Sequence, residues 1–175
     1  MQHAQIPILG FAAASGTGKT TLLTRLIPVL KHNGLRIGLI KHSHHDFEID
    51  KPGKDSFRLR EAGASPVMLV SRYRRVIITE LTQGKEPGLD EQLKQFDQTE
   101  LDLILVEGFR SEIFPKIELH RASLDNPLLY PSDPDIIAIA TDSILDTPDY
   151  LTQLDINQPE MIAAFIQNHF MKNHD

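Results

Sequence analysis

The 175-residue sequence contains no cysteine. This absence excludes disulfides and thiolate metal sites, and it is compatible with a reducing cytoplasm, where we expect the protein to reside. No apolar run approaches the roughly 18 residues of a membrane-spanning helix, and no basic segment precedes the first apolar run, so we expect neither a membrane partner nor a signal peptide. The net charge of −6 argues against nucleic acid as a partner.

The length and composition suit one globular domain. Hydrophobic residues make up 41% of the 175 residues, which is enough for a sizeable core. The sequence has no internal repeat and no low-complexity tract. We therefore expect a single nucleotide-binding domain over residues 1–175.

The most informative segment is Ala13–Thr21, Ala-Ala-Ser-Gly-Thr-Gly-Lys-Thr-Thr, which reads as a phosphate-binding P-loop between an apolar strand and a helix. Backbone N–H groups of such a loop converge on phosphate oxygens, and the following helix adds its own unpaired donors. Lys19 would bridge the β- and γ-phosphates, and the Thr20 hydroxyl would join a Mg²⁺ shell. The predicted nucleotide-binding residues of the loop are Ser15, Gly16, Thr17, Gly18, Lys19, Thr20 and Thr21.

Ala13 departs from the strict pattern, which has glycine at that position. If the position required a positive φ, alanine would be strained by about 1 kcal/mol. We expect it to be tolerated, because Gly16 and Gly18 remain where the loop curls. The competing interpretation of the segment is an ordinary glycine- and serine-rich turn before a helix.

Apolar runs alternate with helical patterns along the chain, which predicts an α/β fold: a three-layer P-loop NTPase with a mostly parallel sheet. Val67–Ser71 and Val76–Thr79 predict an added β-hairpin. Asn157 and Glu160 have the spacing of a capping box for the last helix. The predicted helices cover 19–32, 55–62, 89–96 and 157–171, and the principal predicted strands cover 6–12, 35–40, 101–108, 116–120 and 136–140.

Glu107 ends the buried strand Leu103–Val106 and is the candidate carboxylate for Mg²⁺ or for the attacking water. The alternative is a solvated carboxylate at a strand end. Asp102 begins the same strand and therefore lies at the wrong end. Arg110 follows shortly after and could contact phosphate or a partner.

The segment His42–Asp46 contains three histidines and one aspartate after the second strand. Imidazoles with a carboxylate suit a transition metal. Alternatively, Asp46 helps to position Mg²⁺ or water near the γ-phosphate, or the segment is an exposed polar loop. We take Asp46, with Glu107, as the candidate catalytic residues.

Asp142 directly follows the strand Ile136–Ala140 and Thr141. A carboxylate there can accept hydrogen bonds from N1 and N2 of guanine, which adenine does not match. The Asn-Lys-x-Asp guanine motif is absent, so this hypothesis depends on position, and a turn-initiating aspartate is the alternative.

Four segments together resemble the molybdopterin-guanine dinucleotide biosynthesis protein B (MobB) family. They are Phe11–Thr21, Leu39–Asp46, Asp50–Ser56 and Leu103–Phe109. The P-loop alone is widespread, but its combination with Lys-His-Ser-His-His-Asp and Glu-Gly-Phe is specific. Members of the family that the chain resembles can also carry alanine at the position of Ala13.

The resemblance implies a cytoplasmic GTP-binding adapter with Mg²⁺ and weak GTPase activity. It implies a homodimer that pairs through the segment around 66–80, and a guanylyltransferase partner that itself joins GMP to molybdopterin. No residue can be assigned as an arginine finger, in agreement with slow turnover. Direct contact with molybdopterin stays open, and the rival hypotheses are a P-loop small-molecule kinase, a His-rich metal-delivery GTPase and a pure binding module.

Overall fold

The computed structural model describes residues 1–43, 47–81 and 86–173. Contacts between residues divide the chain into two compact units, Met1–His42 with Gly88–Asp175, and Ser43–Pro87. The expectation of a single domain over 1–175 stays a prediction. In the described part of the chain, no helix combines the length and the apolar character needed to cross a membrane.

The first unit is built on a six-stranded sheet in which every neighbouring pair of strands is parallel. The strands run in the spatial order β2-β5-β1-β6-β7-β8. Their bounds are β1 Ile8–Ala13, β2 Ile37–Lys41, β5 Leu103–Glu107, β6 Lys116–His120, β7 Ile136–Thr141 and β8 Thr152–Asp155. The α/β architecture with a parallel sheet is therefore confirmed.

Helices cover both faces of this sheet because the strand residues alternate between two apolar clusters. On one face, Leu9 and Leu105 pack in a cluster with residues of the first and last helices, α1 (Lys19–His32) and α4 (Pro159–Phe165). On the other face, Ile104 packs with residues of α3 (Leu89–Gln95). The predicted three layers follow from this alternation.

The ends of α1 lie where the sequence predicted them, with Asn33 as the C-terminal cap and Gly34 at a φ of +92°. The predicted capping box at Asn157 is wrong, because α4 begins at Pro159 with Gln158 as its cap and without a side-chain capping bond. The helix continues as a π-helical turn, Ile166–Phe170, and a short 3₁₀ turn, Met171–Asn173.

Strand β8 was not predicted. Only Leu154 of its four residues is buried, so the strand lacks the apolar run that marks the others. Its position at the edge of the sheet, paired with β7 alone, explains why a polar segment is tolerated there.

Two charged residues of β6 are buried, and each is satisfied by neighbours that the sequence did not suggest. The Lys116 ammonium lies 3.1 Å from Asp133 and 3.5 Å from Asp135. The Glu118 carboxylate accepts the backbone N–H groups of Leu129 and Tyr130 at 2.8 and 2.9 Å, and burial raises its pKa. These contacts fasten the proline-containing segment that joins β6 to β7.

The second unit contains α2 (Asp55–Glu61) and an antiparallel hairpin of β3 (Val67–Val70) and β4 (Arg75–Ile78), which confirms the predicted added hairpin. Among the described residues, these two strands form a sheet of their own. One face of the hairpin is exposed and largely apolar: Met68 and Ile77 are paired across the strands and are 54% and 52% exposed.

Candidate functional site

The parallel sheet places several of the predicted site residues at one edge of the first unit. The P-loop follows β1, His42 follows β2, Glu107 ends β5 and Asp142 follows β7. Ligands of open α/β sheets bind at this carboxyl edge. His44, His45 and Asp46 lie outside the described residues, so the hypothesis of a histidine metal site and the catalytic role of Asp46 stay predictions.

The P-loop owes its curl to two glycines. Gly16 and Gly18 have φ values of +81° and +95°, in the left-handed region that favours glycine. Ala13 is the last residue of β1 and is not among the residues with positive φ, which explains why alanine is tolerated there. The buried Thr17 fixes the loop from within, because its Oγ1 donates a hydrogen bond to the carbonyl of Ala14 at 2.9 Å.

Helix α1 begins at Lys19, immediately after Gly18. Its first-turn N–H groups have no partners within the helix and face the loop's end of the sheet. Ser15, Thr20 and Thr21 are exposed there. The arrangement offers an anion several backbone donors and the favourable end of the helix dipole.

Charges of both signs surround Lys19. Burial lowers the pKa of Lys19, the nearby Glu107 carboxylate acts in the opposite direction, and Lys41 and Arg110 lower it further. Arg110 is exposed. A phosphate group would relieve this crowding of cations, since it supplies negative charge in addition to that of Glu107.

Glu107 is paired with a residue that the sequence analysis did not single out. Its carboxylate accepts hydrogen bonds from the Lys41 ammonium at 3.1 and 3.2 Å. The Glu107 side chain is 13% exposed and that of Lys41 is 54% exposed. Lys41 and Glu107 are register partners at the ends of β2 and β5, and this pairing would have indicated their contact. It can be recognised only once the strand order is known.

Thr20 and Glu107 fit the chemistry of Mg²⁺. Both present oxygen atoms, which are the ligands that Mg²⁺ prefers. Among the described residues, no group of three or more His, Cys, Asp or Glu side chains is arranged to hold a metal ion. An ion at this edge would therefore depend on phosphate oxygens and water for most of its shell.

His42 is held against the turn that follows β5. Its ring stacks on Phe109 with centroids 4.5 Å apart, and its backbone N–H donates to the Glu107 carbonyl at 2.8 Å. Gly108 lies between them with a φ of +103°, and a Cβ there would be 2.6 Å from the Cβ of His42. The Glu-Gly-Phe sequence thus allows β2 and β5 to end side by side.

Asp142 lies at the edge as predicted, with both carboxylate oxygens engaged. One accepts the N–H of Ala122 at 3.0 Å and the other accepts from Arg121 at 3.2 Å. The hydrogen bond from Ala122, reinforced by Arg121, holds the pKa of Asp142 below its ordinary value. The carboxylate is therefore ionised and held in position, and each oxygen keeps acceptor capacity for a further donor.

Arg121 is the second residue that sequence reasoning missed. Its Nε donates to the Thr17 carbonyl at 3.1 Å, and its two terminal nitrogens donate to Asp142 and to Asn157 at 3.2 and 3.3 Å. One guanidinium thus connects the P-loop with the segments after β7 and β8. Its place directly after β6 was the available signal, since the P-loop and Asp142 likewise follow strands of the sheet.

Comparisons with known proteins point to one family. The sequence profile of a family described as Molybdopterin guanine dinucleotide synthesis protein B (MobB) matches residues 8–142. Two relatives are named molybdopterin-guanine dinucleotide biosynthesis adapter protein. The relative from Haemophilus influenzae is 48% identical over 165 residues, covering 94% of this chain and 89% of the relative. The relative from Escherichia coli K12 is 46% identical over 170 residues, covering 97% and 96%.

A solved structure shares the fold. The crystal structure of a molybdopterin-guanine biosynthesis protein B aligns with a TM-score of 0.71 at 24% identity, covering 92% of this chain and 98% of that one. At that identity the likeness concerns the fold alone.

Proposed function

This chain belongs to the molybdopterin guanine dinucleotide synthesis protein B family, and we propose that it is a GTP-binding adapter with weak GTPase activity that assists the guanylylation of molybdopterin in molybdenum cofactor biosynthesis. The names of the two relatives support a role in molybdenum cofactor biosynthesis and the description of this chain as an adapter. The nucleotide and the ion are proposed from the site together with the family resemblance, and the partner is proposed from the resemblance.

The observation that carries the proposal is the P-loop at the start of α1, with Lys19 beside Glu107 at the carboxyl edge of a parallel sheet. Gly16 and Gly18 have the backbone conformations that allow N–H groups to converge on phosphate. The loop also fixes the position of a bound nucleotide, because its phosphates must lie at the N-terminus of α1.

The residues have distinct roles in the proposed hydrolysis. The N–H groups of 15–21 and the Lys19 ammonium bind the β- and γ-phosphates. Glu107 orients the attacking water, directly or through a second water, and Asp46 is proposed to assist from the segment after His42. Water attacks in line with the bond to the leaving diphosphate, and charge neutralisation and positioning supply most of the catalysis.

Thr20 and Glu107 would hold Mg²⁺, whose positive charge, when bound, neutralises the phosphate oxygens. Lys41 is the present partner of the Glu107 carboxylate. Its ammonium holds that carboxylate at the phosphate end of the site.

The proposed partners are a molybdenum cofactor guanylyltransferase, a second copy of this chain and, if it is contacted directly, molybdopterin. The exposed face of the hairpin, with Met68 and Ile77, supports packing of two copies against each other, and the edges of this two-stranded sheet are the candidates for pairing through added strands. Light scattering should give twice the mass of the chain, and Met68→Lys with Ile77→Lys should reduce it to the monomer. A monomeric wild type would contradict the dimer.

The rival hypotheses are not favoured. A small-molecule kinase or a metal-delivery GTPase has no support from the family or from the names of the relatives. A pure binding module would bind GTP without ever releasing phosphate, so a sensitive phosphate-release assay separates it from a weak GTPase.

Calorimetric titration with GTP, GDP and ATP, with and without Mg²⁺, tests the proposal. We expect GTP to bind more tightly than ATP and to depend on Mg²⁺. Failure of all three nucleotides to bind would overturn the proposed nucleotide site. The adapter role is tested separately, by the rate at which the guanylyltransferase forms the dinucleotide cofactor with and without this protein.

A further inference from the structure

The order of strands gives the nucleotide a direction across the sheet. Glu107 and Lys41 end β5 and β2, which lie on one side of β1, whereas Arg121, Asp142 and Asn157 follow β6, β7 and β8 on the other side. With the terminal phosphate toward Glu107, the nucleoside extends toward β7 and β8. Strands spaced about 4.8 Å apart put the end of β7 roughly 10 Å from that of β1, which matches the reach of a nucleoside.

Asn157, which the sequence suggested as a helix cap, is instead held at this end of the site by contacts of its backbone and of its side chain. Its backbone N–H donates to Asp155 at 2.8 Å, and its carbonyl accepts from Arg25 at 3.0 Å. Its side-chain Oδ1 accepts from Arg121 at 3.3 Å. Although the residue is exposed, its position and its side-chain direction are thereby fixed.

The contact with Arg121 also fixes which end of the Asn157 amide is available. A guanidinium has donors and no acceptor, so the amide must turn its oxygen toward Arg121. The amide nitrogen then faces away from Arg121: one of its two N–H groups is engaged by the Asp155 carboxylate, and the second can donate to a ligand. Asp142 accepts from the other terminal nitrogen of the same guanidinium, so a donor from Asn157 and an acceptor from Asp142 lie side by side.

We propose that Asn157 reads the 6-oxo group of guanine through its amide nitrogen, and that Arg121 is the positioning residue that sets the polarity of this amide. The inference rests on the proposed GTP-binding function and deepens it. Guanine presents an acceptor at O6 beside the donors at N1 and N2, whereas adenine presents an amino group at position 6. The Asn157 donor and the Asp142 acceptor therefore complement guanine and oppose adenine.

The test compares the ratio of GTP affinity to ATP affinity in four proteins: wild type, Asn157→Ala, Asn157→Asp and Arg121→Ala. Inosine triphosphate, which keeps the 6-oxo group and lacks the 2-amino group, and inorganic tripolyphosphate complete the ligands. Asn33→Ala is the matched control, because its amide is bonded to Gln167 outside the site. Thermal unfolding of each variant establishes that it is folded.

For Asn157→Ala we expect GTP and inosine triphosphate to bind about tenfold more weakly, the value of one lost hydrogen bond, while ATP and tripolyphosphate bind as in wild type. Asn157→Asp should lower the GTP to ATP ratio further, because a carboxylate accepts where guanine also presents an acceptor. Arg121→Ala should lower the same ratio. A disturbance of the P-loop would weaken GTP and ATP equally and so would cancel in the ratio.

Two results overturn the inference alone: an unchanged GTP to ATP ratio in Asn157→Ala, or a loss of tripolyphosphate binding equal to the loss of GTP binding, which would make Asn157 a support of the loop. If wild type binds neither GTP nor tripolyphosphate, the proposed function and the inference fail together.

Discussion

The carboxylate of Glu107 lies 3.1 and 3.2 Å from the ammonium nitrogen of Lys41, across the ends of two neighbouring strands. A cation thus already neutralises the carboxylate that is proposed to serve Mg²⁺. The ion and Lys41 compete for the same negative charge. Substitutions of Glu107 and of Lys41 should therefore change Mg²⁺ binding in opposite directions.

Glu107→Gln should weaken the dependence of GTP binding on Mg²⁺ and slow hydrolysis by roughly 100-fold, since it removes the carboxylate that orients water. Lys41→Met should lower the Mg²⁺ concentration needed for half-maximal GTP binding. Titration of Mg²⁺ at fixed GTP measures both. Glu100→Gln is the control, because Glu100 precedes β5 and its side chain is 88% exposed. A Glu107→Gln protein that keeps the wild-type Mg²⁺ dependence would remove Glu107 from the metal site.

Lys19→Ala should weaken GTP binding by roughly 100-fold, because hydrogen bonds from a charged donor to phosphate contribute more than neutral ones. Lys31→Ala removes an exposed lysine from the last turn of the same helix and should leave the affinity unchanged. Calorimetry of the two variants gives the comparison. Equal affinities would place the triphosphate elsewhere.

Gly108→Ala should destabilise the protein by about 3 kcal/mol, which combines backbone strain with steric overlap. The added Cβ would lie 2.6 Å from the Cβ of His42, at a φ of +103°. Gly34→Ala separates the two causes, because Gly34 has a φ of +92° and a methyl group added there would have nothing within 4 Å. It should cost about 1 kcal/mol. Urea unfolding of both variants measures the difference, and equal costs would show that the contact with His42 is relaxed.

The pairing of Asp102 with Arg36 predicts a pH dependence of stability. Hydrogen bonds from the Arg36 side chain and backbone lower the pKa of Asp102 from 3.8 to about 2. Because the folded pKa is the lower one, this stabilisation is present above about pH 4 and is lost as the pH falls toward 2. Asp102→Asn should therefore be less stable than wild type near neutral pH, and the difference should vanish in acid.

Urea unfolding at several values between about pH 6 and about pH 2 checks this expectation. Glu100→Gln serves as the control, because the exposed Glu100 contributes little to its ion pair with Arg36. A stability difference for Asp102→Asn that stays constant with pH would show that the ionised carboxylate is not the source.

Much of the fold could be predicted because its signals are local. The helix over 19–32 has a glycine-containing start and a glycine stop, and Leu103–Val106 is an uninterrupted apolar run. Strand β8 escaped prediction because a short edge strand needs only one buried side chain. The cap at Asn157 was mispredicted because the same spacing serves a different set of contacts, with Asp155 and Arg121.

The sequence by itself determined the P-loop, the parallel α/β architecture and the placing of Glu107 and Asp142 at strand ends, since these depend on residues that are neighbours along the chain. Only the tertiary structure decided that Lys41 pairs with Glu107 and that Arg121 connects Thr17, Asp142 and Asn157. Those contacts join residues tens of positions apart. They exist because the strand order brings distant strand ends together, and no local pattern encodes that order.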